Sequence, residues 1–252
     1  MIIKYDNKAI KYSNKWLSID GGTPPVPPVD PYNPLGLPPF TMRVKFTDGY
    51  TPTSDELNTW TQVSSSPNIW DLTREDPNWF RNVPPFMFNT NLLEVLGANT
   101  SGVTSMDYLF YRCTNLTNVA LFDMSDIISD YYAGPNGYDW YGIYVMFYKC
   151  SSLTSVPLFD FSNIAGFEGL FYDCSSLTSI PLFDLSKARD TSLMFSGCLN
   201  VESGALALYQ QTSTQTNPPY KHSGMFAICG RDTVTGAAEL AQIPTSWGGT
   251  MQ

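Results

Sequence analysis

The sequence predicts an α/β solenoid of about five stacked units with a 24-residue period, preceded by an N-terminal β-hairpin and a small β-rich cap. Three observations predict it: a phenylalanine-x-x-cysteine motif recurs in the second half, an alternating stretch opens the chain, and a proline-rich stretch follows that opening. We expect five segments: an attachment hairpin (1–19), a proline-rich linker (20–39), a β-rich cap (40–85), the solenoid (86–232) and a C-terminal cap or tail (233–252).

The N-terminal segment alternates apolar and polar residues on either side of a turn at Asp6-Asn7-Lys8, which is typical of a β-hairpin. A lone hairpin is marginally stable in water, so we expect it to pack on the body or on another subunit. Its lysines either help it to dock on an acidic partner or simply solvate it. The candidate anchor residues are Ile3, Tyr5, Ile10, Tyr12, Trp16 and Leu17.

The linker holds eight prolines between Pro24 and Pro39. Proline fixes φ and lacks an N–H donor, so this segment is predicted to be a stiff, extended spacer. A ligand for a proline-binding domain is the other interpretation.

The cap region contains two predicted strands, at 40–46 and 68–72, and a turn at 47–50. Its aromatic residues either cover the open end of the repeats, which we prefer, or form a carbohydrate-binding platform. They are Trp60, Trp70, Trp79 and Phe80.

The repeats are marked by five cysteines, each with a phenylalanine three residues earlier. The cysteines are Cys113, Cys150, Cys174, Cys198 and Cys229, spaced by 37, 24, 24 and 31 residues. A 24-residue period lies within the ~20–29 residues of leucine-rich repeats, in which each unit adds a strand and a helical or turn segment. Stacked units bury together what one unit cannot, so we expect the cysteines to form a buried ladder. Five is an odd number and the spacing lacks metal-ligand motifs, so disulfides are not required and no metal site is predicted.

The first interval is 13 residues longer than the period, which indicates an inserted loop near 127–144. Solenoid insertions often lie on the binding face, and tyrosine and tryptophan dominate binding hot spots. This loop is the candidate recognition site, although its aromatic residues could equally fold back onto the flank of the repeats. Its residues are Tyr131, Tyr132, Tyr138, Trp140, Tyr141 and Tyr144.

Composition argues against several classes of function. The net charge of -9 disfavours nucleic acid, because phosphate contacts need clustered lysine and arginine. No apolar run approaches the ~20 residues of a membrane helix, and the N-terminus lacks the pattern of a signal peptide. His222 has no catalytic motif beside it, and the recurring Asp123, Asp160 and Asp184 are expected to cap turns. We therefore predict no catalytic, cofactor-binding or metal-binding residues.

The copies LFYRCTNLTNVALFDMS (109–125), MFYKCSSLTSVPLFDFS (146–162) and LFYDCSSLTSIPLFDLS (170–186) resemble the BspA-type leucine-rich repeats of bacterial surface proteins. The segments at 2–17, 33–46, 63–73 and 234–249 look like parts of proteins from gut bacteriophage genomes, including the N-terminal modules of virion accessory proteins. These resemblances imply display on a surface and adhesion to a host protein or glycan, and they supply no catalytic residues.

The expected function is therefore that of a non-enzymatic virion structural or accessory protein of a gut bacteriophage. The hairpin would contact other virion proteins, and the repeats would contact a host surface protein or glycan. A bacterial cell-surface adhesin is the alternative, and a carbohydrate-active enzyme using Asp160 or Asp184 is a third hypothesis. We expect no nucleic acid, no membrane insertion and no cofactor, and self-association into a homo-oligomer stays open.

Overall fold

A computed structural model describes most of the chain, with gaps between the described ranges. These ranges are 30–53, 59–74, 84–127 and 142–250. The backbone of three N-terminal strands is also described: β1 (Ile2–Tyr5), β2 (Ala9–Tyr12) and β3 (Lys15–Ser18). They form an antiparallel sheet in the order β1-β2-β3, so the expected hairpin gains a third strand. All six candidate anchor residues lie in these strands, and Ile10 pairs with Leu17.

A mixed five-stranded sheet begins the body of the protein. Its strands are β4 (Thr41–Phe46), β5 (Thr59–Ser65), β6 (Asn68–Thr73), β7 (Leu92–Asn99) and β8 (Asn118–Val119). The order is β5-β6-β4-β7-β8, with β5 and β8 as free edges, so the sheet is open. Neighbours are antiparallel except β7 and β8, which are parallel.

The central strand β4 shows why this region forms a sheet. Its alternate residues Met42, Val44 and Phe46 are fully buried, as the period of two in a half-buried strand requires. On the other face, Arg43 makes a bidentate pair with Asp71 of β6 at 2.7 and 2.8 Å. The strand predicted at 40–46 is confirmed as β4, and the one predicted at 68–72 is confirmed as β6.

The repeats form a stack of turns. We call each turn segment built on one Phe-x-x-Cys motif, or on the equivalent Phe-x-x-Asn segment that begins at Phe86, a rung. The phenylalanine rings of successive rungs stack with centroids 5.3 to 6.0 Å apart. A further rung precedes those that the cysteines mark, with Asn89 lying 24 residues before Cys113. The stacked rings belong to Phe86, Phe110, Phe147, Phe171, Phe195 and Phe226.

Backbone hydrogen bonds join each rung to the next. The Phe147 N–H donates to the Leu170 carbonyl at 2.9 Å, and the Phe171 N–H donates to the Met194 carbonyl at the same distance. Two residues after Phe147, the Lys149 N–H donates to the Tyr172 carbonyl of the next rung at 2.7 Å. Because alternate N–H groups donate in the same direction, the backbone is satisfied between rungs and the stack is held in register.

The predicted α/β leucine-rich-repeat solenoid is wrong. Such a solenoid places a strand and a helical segment in every unit. Among the described residues of 86–232, only β7 and the two-residue β8 are strands, and both belong to a single open, mixed sheet. Two short helices are described, α1 (Ala205–Ser213) and α2 (Val234–Leu240), and neither belongs to a Phe-x-x-Cys turn.

Left-handed backbone explains why the Phe-x-x-Cys segments are not helices. In each rung that carries a cysteine, the residue just before the cysteine has positive φ, and so does the residue five before it. In the Cys113 rung these residues are Arg112 and Tyr108, with φ of 59° and 61°. An α-helix needs φ near -63°, so two left-handed residues per rung bend the chain into successive tight turns instead.

Proline explains why later rungs add no strand. In the first copy, the Ala120 N–H donates to the Val95 carbonyl at 2.9 Å, next to the pairing of β7 with β8. Pro157 and Pro181 occupy the equivalent position in the next two copies and have no N–H to donate. The parallel pairing therefore weakens to isolated bridges, such as Ser179 with Ser203.

The prediction that the cysteines form a buried ladder is confirmed. All five are free and at most 1 % exposed. The Cys174 thiol donates to the Phe147 carbonyl of the preceding rung at 3.1 Å, and Cys150 bonds the Phe110 carbonyl in the same way. A thiol fits this position because it is both a small apolar group and a weak donor.

Aromatic residues close both ends of the stack. Trp60 lies edge-on to Phe86 at 5.9 Å, so the interpretation that it covers the end of the repeats is confirmed. At the other end, a 3-10 turn (Thr245–Trp247) brings Trp247 against Tyr209 of α1, and the Phe226 N–H donates to the Trp247 carbonyl at 2.8 Å. Trp79 and Phe80 lie outside the described residues.

Candidate functional site

The predicted recognition loop falls mostly outside the described residues. Tyr131, Tyr132, Tyr138, Trp140 and Tyr141 all lie in the gap before residue 142. Tyr144 is described, and its ring packs edge-on to Tyr108 with centroids 5.3 Å apart. Its N–H donates to Asp107 Oδ1 at 2.6 Å, and burial together with nearby acidic groups raises its pKa to about 12. Tyr144 therefore packs against the neighbouring rung that contains Tyr108.

A row of half-buried tyrosines runs along the stack. We call Tyr111, Tyr148 and Tyr172 the tyrosine ladder. Successive rings are nearly parallel, with centroids 4.8 Å apart in both pairs. The ladder follows from the sequence because each tyrosine directly follows the core phenylalanine of its rung, and rungs stack in register.

Charged residues flank the ladder. The residue after each tyrosine is the left-handed one, and it is Arg112, Lys149 or Asp173. The Arg112 guanidinium lies 5.7 Å from the Tyr111 ring centroid, and the Lys149 ammonium lies 5.5 Å from that of Tyr148. Both distances permit cation–π attraction. Lys149 also approaches Asp173 at 3.6 Å across partly exposed surface.

The geometry decides what the ladder can bind. Both faces of the middle ring, Tyr148, lie against neighbouring rings, so its accessible parts are the ring edge and the hydroxyl group. A sugar platform needs open ring faces, and the middle ring of the ladder does not provide them. A regular row of hydroxyls beside cations suits a polar partner that contacts several rungs at once.

The recurring aspartates are confirmed as turn-forming residues. Oδ1 of Asp123, Asp160 and Asp184 accepts the N–H of the serine two residues later, at 2.8, 3.0 and 2.9 Å. Hydrogen bonds from Ser162 lower the pKa of Asp160. A general acid in glycoside hydrolysis needs a raised pKa, so this environment does not favour that role.

His222 and the thiols have structural partners as well. The His222 ring stacks on Trp247 with centroids 4.1 Å apart, and its Nδ1 lies 3.2 Å from the Ser246 carbonyl. Burial raises the pKa of all five cysteine thiols, so they stay protonated at neutral pH and are poor nucleophiles. Within the described ranges, no group of three or more His, Cys, Asp or Glu residues could hold a metal ion.

Comparison with known proteins adds one finding. Residues 85–207 match the family described as "Mycoplasma protein of unknown function, DUF285". The match begins beside Phe86 and covers just under half of the chain. It is consistent with a BspA-type surface protein and suggests a surface-associated repeat protein. No curated protein matches the chain, and no solved structure matches it.

The tyrosine ladder is not among the predicted recognition residues, although the repeat motif contains it. The signal was a tyrosine in the second position of Phe-Tyr-Arg-Cys, Phe-Tyr-Lys-Cys and Phe-Tyr-Asp-Cys. No helix in the part of the chain that the structure describes is long and apolar enough to span a bilayer.

Proposed function

We propose that the protein is a non-enzymatic, surface-displayed adhesion protein. Residues 1–19 attach it to its carrier, and the stack of rungs presents side chains to a host surface protein or glycan. The carrier that we propose is a bacteriophage virion, and the alternative is a bacterial cell surface.

One observation carries the adhesion proposal: the exposed side chains repeat in register on a hydrogen-bonded stack. Rung-to-rung bonds fix the ladder tyrosines at 4.8 Å spacing, so little conformational entropy is lost when a partner binds. Besides the half-buried tyrosines, a row of exposed leucines follows the repeat prolines. Leu158, after Pro157, is 61 % exposed, and Leu182, after Pro181, is 55 % exposed. Repeated, rigid, exposed rows favour recognition of an extended partner.

The proposal that the protein is not an enzyme is supported by the environments of the catalytic candidates. The aspartates form turns, His222 stacks on Trp247, and the thiols are buried donors. Each of these groups has a structural role in the fold. Turnover of a glycan that Asp160→Asn abolishes would overturn this part of the proposal.

Binding of the purified full chain to host cells tests the adhesion proposal. The double variant Tyr148→Ser/Tyr172→Ser should weaken binding about tenfold or more if the ladder lies in the contact. Its control is Val234→Ser, which removes an apolar side chain that is 90 % exposed and lies in neither row. Absence of binding by the unaltered chain to host cells and host glycans would contradict the proposal.

Immunogold labelling distinguishes the two carriers. Gold on purified phage particles supports a virion protein, and deletion of residues 1–19 should remove it from the particles. Gold confined to bacterial envelopes would favour the cell-surface adhesin instead.

A further inference from the structure

A groove lies on one edge of the stack, between the loop at 186–189 and the loop at 216–220. Its volume is about 710 Å³, which lies within the range of roughly 300–1,000 Å³ for ligand clefts. The residues that matter for its chemistry are Asn163, Lys187, Arg189, Thr216, Asn217 and Tyr220.

The groove is cationic, although the protein as a whole is acidic. The chain has 23 acidic and 14 basic residues, yet the groove is lined by Lys187 and Arg189 and by no aspartate or glutamate among the described residues. The Lys187 ammonium donates to Asn163 Oδ1 at 2.7 Å, which uses one of its three N–H groups. No described carboxylate forms an ion pair with Arg189. A cationic groove in an acidic protein favours an anionic ligand.

The floor of the groove is fixed by hydrogen bonds between three rungs. The Arg189 N–H donates to the Ala165 carbonyl at 2.7 Å, and the Lys221 N–H donates to the Arg189 carbonyl at 3.1 Å. Beneath them, the buried Asp190 carboxylate approaches the Lys221 ammonium at 3.6 Å. The backbone that carries Arg189 is therefore ordered before any ligand arrives, which reduces the cost of binding.

The remaining lining suits a hydroxyl-rich ligand. Tyr220 is 59 % exposed at the rim and offers an apolar surface with a hydroxyl group. Thr216 and Asn217 add a hydroxyl and an amide that can each donate and accept. The combination of aromatic, amide, hydroxyl and cationic groups matches a sugar ring that bears an acidic substituent.

We propose that this groove binds an acidic saccharide, with the carboxylate or sulfate of the sugar facing Lys187 and Arg189 and a sugar ring against Tyr220. The inference rests on the proposed adhesion function, since it names the ligand class of the same displayed stack. It assigns recognition to an edge of the repeats that the predicted tyrosine-rich loop did not include.

Calorimetric titration of the full chain tests the proposal. The probes are a glucuronic-acid-containing oligosaccharide, sialyllactose, a sulfated disaccharide and neutral lactose. At least one acidic saccharide should bind and weaken with added salt, while lactose should not bind. Arg189→Gln should reduce the affinity about tenfold, as expected for one lost charge-assisted hydrogen bond. Carboxylated and sulfated probes then distinguish the two sources of negative charge.

Arg231→Gln is the matched control, because Arg231 is exposed, lies outside the groove and pairs with Asp232 at 3.0 Å. It should leave the affinity within about twofold. An equal loss in both variants, equal binding of lactose, or binding of a polyglutamate peptide and of no saccharide would overturn the proposal. If acidic saccharides fail to bind while the chain still adheres to host cells, the groove proposal fails and the adhesion function stands. If they bind but the chain adheres to no cells, the adhesion function fails instead.

Discussion

Raising the pH from 8 to 9.5 should destabilise this fold through its thiol ladder. Burial raises the pKa of all five cysteine thiols above the ordinary value of 9.0. The folded protein therefore keeps these protons across the range, whereas the unfolded chain loses them as the pH passes 9.0. A group whose pKa is raised on folding contributes its full stability below its unfolded pKa and loses it as the pH rises.

The size of this effect follows from the unfolded state. At pH 9.5 a thiol with an unfolded pKa of 9.0 favours unfolding by about 0.8 kcal/mol, and at pH 8 by less than about 0.1 kcal/mol. Five thiols give about 4 kcal/mol, which is a large share of the typical total of about 5–15 kcal/mol. The result does not depend on how far the folded pKa values exceed 9.5.

Urea unfolding under reducing conditions, followed by tryptophan fluorescence at pH 8, 8.5, 9 and 9.5, measures this loss. The control is Cys174→Ser, which keeps a donor for the Phe147 carbonyl but does not ionise. Its loss between pH 8 and 9.5 should be smaller than that of the unaltered chain by about 0.8 kcal/mol, one fifth of the total. Constant stability across the series, or equal losses in the two proteins, would refute the assignment of buried thiols.

Three further predictions concern single rungs. Phe171→Ala removes a ring stacked on both sides and should cost about 3–5 kcal/mol by urea unfolding, whereas exposed Leu182→Ala should change stability by less than about 0.5 kcal/mol. Gly197 has a φ of 80°, and the methyl group of Gly197→Ala would overlap Asp173 Oδ1, so we expect this variant to lose about 1–2 kcal/mol of unfolding free energy. Adding Asp173→Ala should restore part of this stability, and no restoration would contradict the contact. Folding lowers the pKa of Asp160, so its contribution to the stability of the fold is present above pH 3.8 and is lost as the pH falls further. Asp160→Asn should therefore flatten the dependence of the melting temperature on pH below pH 3.8.

Periodicity made the repeats and their interior predictable. The spacing of Phe147, Phe171 and their cysteines indicated that like residues would lie above one another, and they do. Alternation of apolar residues predicted β4 in the same way, because a strand with one buried face must repeat every two residues. Both inferences depend only on which side chains must leave water.

Backbone conformation within a rung was not predictable from the same pattern. Arg112, Lys149 and Asp173 all adopt positive φ although none of them is glycine, so their residue types gave no warning. Pro157 and Pro181 did carry a signal, since they lack the donor that a strand in each unit needs. The 24-residue period favours a strand in each unit, whereas these two prolines disfavour it.

The candidate site was only partly accessible from sequence. The groove depends on Arg189 and Tyr220, which lie 31 residues apart in segments with no shared motif. They line one groove because backbone bonds from Ala165 through Arg189 to Lys221 hold three rungs together. Such a juxtaposition follows from the stacking register, which must be known first.

The central claim is that the cysteine rungs stack in register with their thiols inside. A sulfur anomalous map from a crystal of the reduced protein tests it most directly. We expect the five cysteine sulfurs in a single row, with neighbours separated by about the ring spacing of 5.3 to 6.0 Å. Cysteine sulfurs scattered over the surface, or paired at the ~2.05 Å of a disulfide, would contradict it.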